Sequence, residues 1–338
     1  MSLQTPADFT EAVEAAATLL RAGELVVVPT ETVYGLAANA FDPAAVSKIY
    51  TFKGRPSHNP IIVHVATADM IRECAGEWSE EAQRLARAFW PGPLTLVVPK
   101  SERVPMVVTA GGATVGLRWP SHAFMQALIR RCGFPLAAPS ANPANQLSPT
   151  SADHVLHNLP GPVGLVVDGG PSNVGIESTV VDLCRNPAVI LRPGMIHREA
   201  LASVIPVLSP AAVEGTQRGC EAPLKSPGLL SKHYSPRAPL RLLRWRDGAD
   251  LREQIDSEVR AGRRVQILCH SRIPAGFAPD QVSVIPHDAE AFARALYAEL
   301  HQCDQTGVEL IVVECPPDGP EWHGVQDRLT RASASSES

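Results

Sequence analysis

No uninterrupted apolar run in this 338-residue chain reaches the roughly 18–20 residues that a membrane helix requires. The N-terminus, Met1-Ser2-Leu3-Gln4-Thr5, lacks the basic-then-apolar layout of a signal peptide, so a cytoplasmic location and no membrane association are expected. There is no Gly-x-x-x-x-Gly-Lys-Ser/Thr loop and no Gly-x-Gly-x-x-Gly after a strand, which excludes a P-loop and the standard dinucleotide fingerprint. Any nucleotide must be held by another device. A Gly-x-Ser-x-Gly elbow is missing, which removes the commonest serine hydrolase signal. None of the eleven histidines forms a zinc-type His-x-x-x-His pair; His154 and His157 lie three apart on an expected surface helix. The seven cysteines include no Cys-x-x-Cys pair, so they are read as reduced packing thiols and no protein metal site is expected. Excess positive charge is also lacking. Residues 1–197 hold 14 Lys and Arg against 16 Asp and Glu, and the whole chain has a formal charge of −5, which argues against a basic nucleic-acid-binding module.

What is present is ordinary globular composition, with 45% hydrophobic and 19% charged residues, long enough for two domains. Thr5-Pro6-Ala7-Asp8 reads as a helix start, and Phe9, Val13, Ala16, Leu19 and Leu20 recur at helical spacing up to Gly23. Short apolar runs follow at 25–28, 61–65, 94–98, 135–138, 163–167 and 178–181, with helical patterns at 80–90 and 122–131. Residues 1–197 therefore read as an α/β domain with a mixed sheet. Residues 198–236 are proline-rich and read as a linker. Residues 237–332 alternate strand and helix, with runs at 240–243, 265–268 and 310–313 and helices near 249–261 and 289–301, as in a small, largely parallel α/β domain. The Ser-rich end, 333–338, reads as a disordered tail.

The polar loops beside these strands carry the chemistry. Lys53-Gly54-Arg55-Pro56 with Asn59-Pro60 sets two cations around a glycine before a buried strand; a guanidinium fork and an ammonium suit phosphate oxygens. Pro29-Thr30-Glu31-Thr32-Val33-Tyr34-Gly35-Leu36 and Ser140-Ala141-Asn142 follow strands at their carboxyl ends, where α/β sheets bind ligands. Glu177-Ser178-Thr179 leads into another strand. Convergence of Lys48, Lys53, Arg55, Arg118 and Arg192 would make a cationic cleft for a compact anion on an acidic protein.

In order and content these loops, with Ser148-Pro149-Thr150, Val180-Val181-Asp182 and Leu191-Arg192-Pro193-Gly194, resemble the signature blocks of the YrdC/Sua5 family, the threonylcarbamoyl-AMP synthases. Ser226-Pro227-Gly228 and His233-Tyr234-Ser235-Pro236 resemble the linker of its two-domain Sua5 branch. The resemblance implies a YrdC-like twisted mixed sheet plus a smaller Rossmann-like α/β domain. It also implies condensation of L-threonine, bicarbonate or CO2 and ATP, with magnesium, into threonylcarbamoyl-adenylate and pyrophosphate. The product would pass to the machinery that modifies tRNA adenosine beside the anticodon; direct tRNA binding is not expected. Carried onto this sequence, the family pattern gives Lys53 and Arg55 charge stabilisation at the transferred phosphate. It assigns threonine to Thr32, His64, Arg118, Ser140 and Ser178, and nucleotide to Arg55, Asn59, Asn142, Ser148, Arg192 and Tyr234. The linker would fold over the site and exclude water from a labile carbamate.

This chain departs from the family at Ala144-Asn145, where a Ser-Gly pair is usual; asparagine is the non-glycine residue that best tolerates a left-handed backbone. Two other readings stand beside the synthase: a carbamoyl-adenylate-handling enzyme, whose usual zinc-finger companions are missing, and a non-catalytic RNA-binding module, which the charge disfavours.

Overall fold

The computed structural model describes residues 1–209 and 234–334. Thr5 opens α1 (Pro6–Arg21) with a reciprocal cap: its hydroxyl accepts from Asp8 N at 3.1 Å, and Asp8 Oδ2 accepts from Thr5 N at 2.9 Å. The helix buries Ala12, Val13, Ala16, Ala17 and Leu20, one face at helical spacing. There follow β1 (Val26–Val28), β2 (Gly35–Asn39), α2 (Pro43–Lys53), β3 (Val63–His64), α3 (Ala68–Cys74), α4 (Glu80–Phe89), β4 (Leu94–Pro99) and β5 (Thr114–Arg118). The first unit continues through α5 (Ala123–Cys132), β6 (Leu136–Ala137), α6 (Ala152–Asn158), β7 (Leu165–Val166), β8 (Thr179–Asp182), β9 (Ala188–Arg192), α7 (Arg198–Ala202) and β10 (Val207–Leu208). Its strands form one mixed sheet in the order β10-β9-β8-β4-β5-β3-β6-β2-β1-β7.

Register does the positioning. β3 runs parallel to β5 and antiparallel to β6, so His64 stands opposite both Arg118 and Leu136. Asp42 caps α2, whose Pro43 needs no N–H partner, and Gly54 closes it in the left-handed region at φ 59°, leaving Lys53 at the last helical position. Leu20, Leu36, Ile49, Phe124 and Leu128 are fully buried in the core, each worth about 1.5–3 kcal/mol of transfer free energy. Another buried cluster, Leu85, Leu94, Leu96, Val181 and Ile190, also takes in Leu201, Ile205 and Val207. Residues 198–208 are thus not bare linker: α7 and β10 extend the first unit, because Leu201, Ile205 and Val207 bury apolar surface against α4, β4 and β8. Residues 210–233, most of the rest of the expected linker, lie outside the described residues.

The second unit comprises, among the described residues, 145–147 and 234–334. Asn145 joins it with φ 66°, a left-handed backbone that asparagine tolerates, and its carbonyl accepts from Ser235 N at 3.1 Å. β11 (Leu240–Leu243), β12 (Val265–Cys269), β13 (Val282–Val284) and β14 (Leu310–Glu314) form a parallel sheet in the order β11-β14-β12-β13. The helical stretch expected near 249–261 is broken at Ile255 into α8 (Gly248–Gln254) and α9 (Asp256–Arg260), while α10 (Ala289–Thr306) runs a turn beyond His301. A further helix, α11 (His323–Ser333), holds Val325 and Leu329 in the core and contains the first residue of the expected tail. Residues 335–338 lie outside the described residues.

Cys74, Cys132, Cys269 and Cys303 are buried packing thiols, and burial pushes Cys74 and Cys303 up to about 12, leaving them protonated and unreactive at neutral pH. His154 is likewise structural: its Nδ1 lies 3.2 Å from Thr150 N, and burial lowers its pKa to about 4.

Candidate functional site

Arg118 ends β5 with its side chain only 5% exposed. Its Nη1 donates to Thr32 Oγ1 at 2.9 Å, and its Nη2 lies 2.7 Å from Glu31 Oε1, which is buried to the same degree. Thr30 organises the loop carrying both partners: its hydroxyl donates to Val33 O at 2.6 Å and accepts from Thr32 N at 3.2 Å. Burial, the largest single influence, acts to raise the Glu31 carboxyl, but the Arg118 guanidinium and the nearby backbone dipoles together hold it below its ordinary value. His64, in register with Arg118, is held neutral; burial first, and then the Arg118 charge, bring it down to about 3.

Buried polar atoms without a hydrogen-bond partner gather around this arginine. Among the described residues they include both Glu31 oxygens, His64 Nδ1, Arg118 Nε and Nη2, Trp119 Nε1 and His122 Nδ1. The Arg118–Glu31 contact is thus an ion pair of close charges rather than an aligned hydrogen bond. Native proteins rarely leave such groups unmet, since each costs about 1–3 kcal/mol. Leaving aside Arg118 Nη2 and Glu31 Oε1, which meet each other, five such atoms on five residues mark a site built to receive polar groups from outside the chain.

The other loops meet through the main chain. Gly35 bridges Ser140, Ala141 N donates to Tyr34 O at 2.8 Å, and Tyr34 N donates to Pro149 O at 2.8 Å. Lys53, 4% exposed, donates through Nζ to Ser140 O at 2.5 Å and to Asn142 O. Its pKa lies well below the usual lysine value, through burial first and the Arg55 charge second. Arg55 donates to Asn59 O at 3.0 Å, Asn59 Oδ1 at 2.7 Å and Pro60 O at 2.7 Å. Arg192 grips the third loop, donating to Ser178 O at 3.0–3.1 Å and to Ser178 Oγ at 3.1 Å, while Thr95 Oγ1 and Ser178 Oγ lie 2.8 Å apart. Ser148 Oγ donates to Glu177 Oε1 at 2.5 Å.

The structure therefore joins Thr32, His64 and Arg118 in one cluster. Lys53 ties in Ser140 and Asn142, Arg55 pairs with Asn59, Arg192 with Ser178, and Ser148 with Glu177. Tyr234 lies in the second unit, its ring 6.2 Å from Tyr297 and 5.2 Å from the Arg328 guanidinium. Lys48 does not join the cationic set: its ammonium, 46% exposed, donates to Glu24 Oε1 at 2.8 Å and Gly23 O at 2.9 Å. Sequence reasoning left out Trp119, His122 and Thr95, which had no signal. Glu31 and Glu177 were legible as carboxylates inside quoted motifs, but not their partners Arg118 and Ser148.

Because His64 is neutral when folded but titrates near 6.5 when unfolded, its contribution to stability is complete above about pH 6.5 and is lost as pH falls towards 3. Urea unfolding at pH 7, 6 and 5 should show the chain losing up to about 1.4 kcal/mol per pH unit more than His64→Gln. Parallel curves would mean that His64 takes up a proton in the fold.

A family model described as telomere recombination (Sua5/YciO/YrdC) matches residues 18–194, and one described as threonylcarbamoyl-AMP synthase, C-terminal domain (Sua5), matches residues 196–334. The chain is 42% identical over 324 residues to the threonylcarbamoyl-AMP synthase of Bacillus subtilis, covering 94% of this chain and 92% of that protein. With the Pyrococcus abyssi synthase it shares 40% identity, over 94% and 93% of the two chains. The crystal structure of P. abyssi Sua5 complexed with L-threonine superposes with a TM-score of 0.85 at 39% identity, covering 95% of this chain and 94% of that one. A doubly alanine-substituted form of that protein superposes with a TM-score of 0.88 at 38% identity, over 98% and 95%.

Proposed function

Since this chain belongs to the Sua5/YciO/YrdC family and carries its Sua5 C-terminal domain, we propose that it is a threonylcarbamoyl-AMP synthase. It is a nucleotidyl transferase that joins L-threonine, bicarbonate or CO2 and ATP and releases pyrophosphate. The observation that carries the reading is the set of unpartnered buried polar atoms around Arg118. A small zwitterion satisfies such a set. Its carboxylate accepts from the guanidinium, and its hydroxyl and amine find partners among Thr32, His64, Ser140 and Ser178.

The chemistry then needs a carbamate oxygen to attack the α-phosphate of ATP in line with the departing pyrophosphate, and charge that builds on the phosphate must be met by fixed cations. Lys53 and Arg55 supply that charge. Asn59, Asn142, Ser148 and Arg192 contribute to nucleotide binding, Arg192 also by holding the Ser178 loop in place. Magnesium accompanies the nucleotide. The nearby carboxylates do not fit a cage for it, as Glu31 faces Arg118, Glu177 accepts from Ser148, and Asp182 accepts from Cys184 N at 3.0 Å and lies 3.4 Å from Arg185. Magnesium commonly binds through phosphates and water, which leaves the ion to the triphosphate. The product feeds the threonylcarbamoyl-transfer machinery for tRNA. Among the described residues no helix is long and apolar enough to cross a membrane.

Pyrophosphate release by the purified chain, with threonine and bicarbonate each present or omitted, tests the reading. Release is expected only when both are supplied with ATP and magnesium. Release without threonine would replace it with carbamoyl-adenylate chemistry or plain ATP hydrolysis, and no release from folded protein would overturn it.

A further inference from the structure

The second unit has a crevice of its own at the carboxyl edge of its parallel sheet. The chain leaves β12 towards β13 on one side, and leaves β14 towards α11, which packs on β11, on the other. Adjacent strands whose connections diverge open a gap between them, the place where α/β sheets take ligands. Here the gap is a cavity of about 250 Å³ lined by Arg244, Trp245, His270, Arg272, His287 and Glu314, among others.

Glu314, 5% exposed at the end of β14, builds the floor. Its Oε2 accepts from His270 N at 2.8 Å, Ser271 N at 2.9 Å and Arg272 N at 3.2 Å, and its Oε1 accepts from the Ser271 hydroxyl. Burial acts to raise this carboxyl, but these donors prevail and keep it below its ordinary value. Three successive N–H groups converging on one oxygen form an anion-binding nest, and the protein fills that nest with its own carboxylate. The acid fixes the β12 loop, and its single negative charge is outnumbered by the two guanidinium groups, Arg244 and Arg272, that line the same crevice.

Those cations lie open. Arg272 anchors Nη1 on Trp245 O at 2.6 Å, which leaves its Nε and Nη2 without a partner among the described residues. The partner of Arg244 is Asp318, at 3.2 Å, where the side chains are 65% and 84% exposed; such a pair is solvent-screened and yields readily to a ligand. The His287 and His270 rings lie edge to edge, 16° from parallel, with centroids 4.9 Å and Nδ1 atoms 2.7 Å apart, and His270 Nε2 lies 3.2 Å from Cys315 O. A carbonyl only accepts, so His270 carries its proton on Nε2, and His287 donates from Nδ1. The His287 ring is thereby held at the rim.

We propose that this crevice binds a small phosphorylated ligand, its phosphate held by Arg244 and Arg272 beside the His287 ring. Two guanidinium forks suit a dianionic phosphate better than a single carboxylate, and the volume admits a ligand no larger than a mononucleotide. The site does not depend on the activity proposed for the first unit.

Hydrogen exchange on the full-length protein, with inorganic pyrophosphate or AMP as probe, tests it locally. Amides at 270–274 and 313–318 should slow by about tenfold when a probe is at ten times its Kd. Arg244→Ala/Arg272→Ala should lose that protection while any protection in residues 1–209 persists; Arg244→Ala alone, at an exposed position, should weaken it. Slowing with pyrophosphate alone assigns recognition to the phosphate, and slowing with AMP only adds the nucleoside; either supports the site. No slowing with either probe, or slowing that survives in the double variant, overturns it.

Discussion

Arg118→Ala should unfold at markedly lower denaturant, having lost about 3–5 kcal/mol, and should show no threonine-dependent pyrophosphate release. The size follows from what remains: Glu31, buried to 5% and held ionised by the arginine 2.7 Å away, becomes an uncompensated interior charge. Thr32 also loses its donor. Arg118→Ala/Glu31→Gln separates structure from function. Removing both charges should restore most of the stability, because the desolvation penalty goes with them, while activity stays absent for want of a partner for the threonine carboxylate. Urea unfolding and pyrophosphate release on the same samples decide the matter. A double variant that regains threonine-dependent turnover would reduce Arg118 to an internal counter-charge.

Lys53→Met carries the next largest effect, a fall in turnover of about 10²–10³, or about 2–4 kcal/mol, with the KM for threonine little changed. Methionine keeps most of the volume of the buried stem but leaves the carbonyls of Ser140 and Asn142 without their donor, at about 1–3 kcal/mol each. The pH profile isolates the charge. Burial and Arg55 hold the Lys53 pKa below its unfolded value of 10.5, so the ammonium discharges on the folded chain first and turnover should fall as pH rises through that depressed value. Between that point and about pH 10.5 the unfolded chain binds the extra proton, so the same titration makes stability rise. Opposite slopes of turnover and stability in the wild type, both missing in Lys53→Met, are the expected outcome. A variant with unaltered turnover would remove Lys53 from the chemistry.

These roles were unequally legible in the sequence. The 29–36, 53–60, 140–142 and 177–179 segments stand out because hydroxyls, amides and charges interrupt apolar runs at strand ends, the first and third where a strand finishes and the other two where one is about to begin. Local order in the first helix was equally plain, since Thr5, Pro6 and Asp8 satisfy end groups within one turn. Residues 198–208 were misread: proline and short apolar spacing look like linker until Leu201, Ile205 and Val207 find a surface to cover. The break at Ile255 was hidden for the opposite reason, as helical periodicity runs on through it. Lys48 looked like a member of the cationic set, but chain neighbourhood does not say which way a helix face turns.

Composition, the order of the polar loops and the strand pattern determined by themselves that this is an α/β protein of two units bearing the motifs of a nucleotidyl-transfer family. These are properties of short segments, set by backbone sterics, turn chemistry and the burial of contiguous apolar residues. Tertiary structure alone decided that Glu31 and Thr32 face Arg118 from a distant part of the chain, that His64 stands neutral beside them, that Lys53 is spent on two carbonyls, and that Glu314 fills a nest in the second unit. Such pairings come from sheet register and from the removal of water, and both arise only when distant segments meet: the charge, protonation and freedom of each group are set by its neighbours in space.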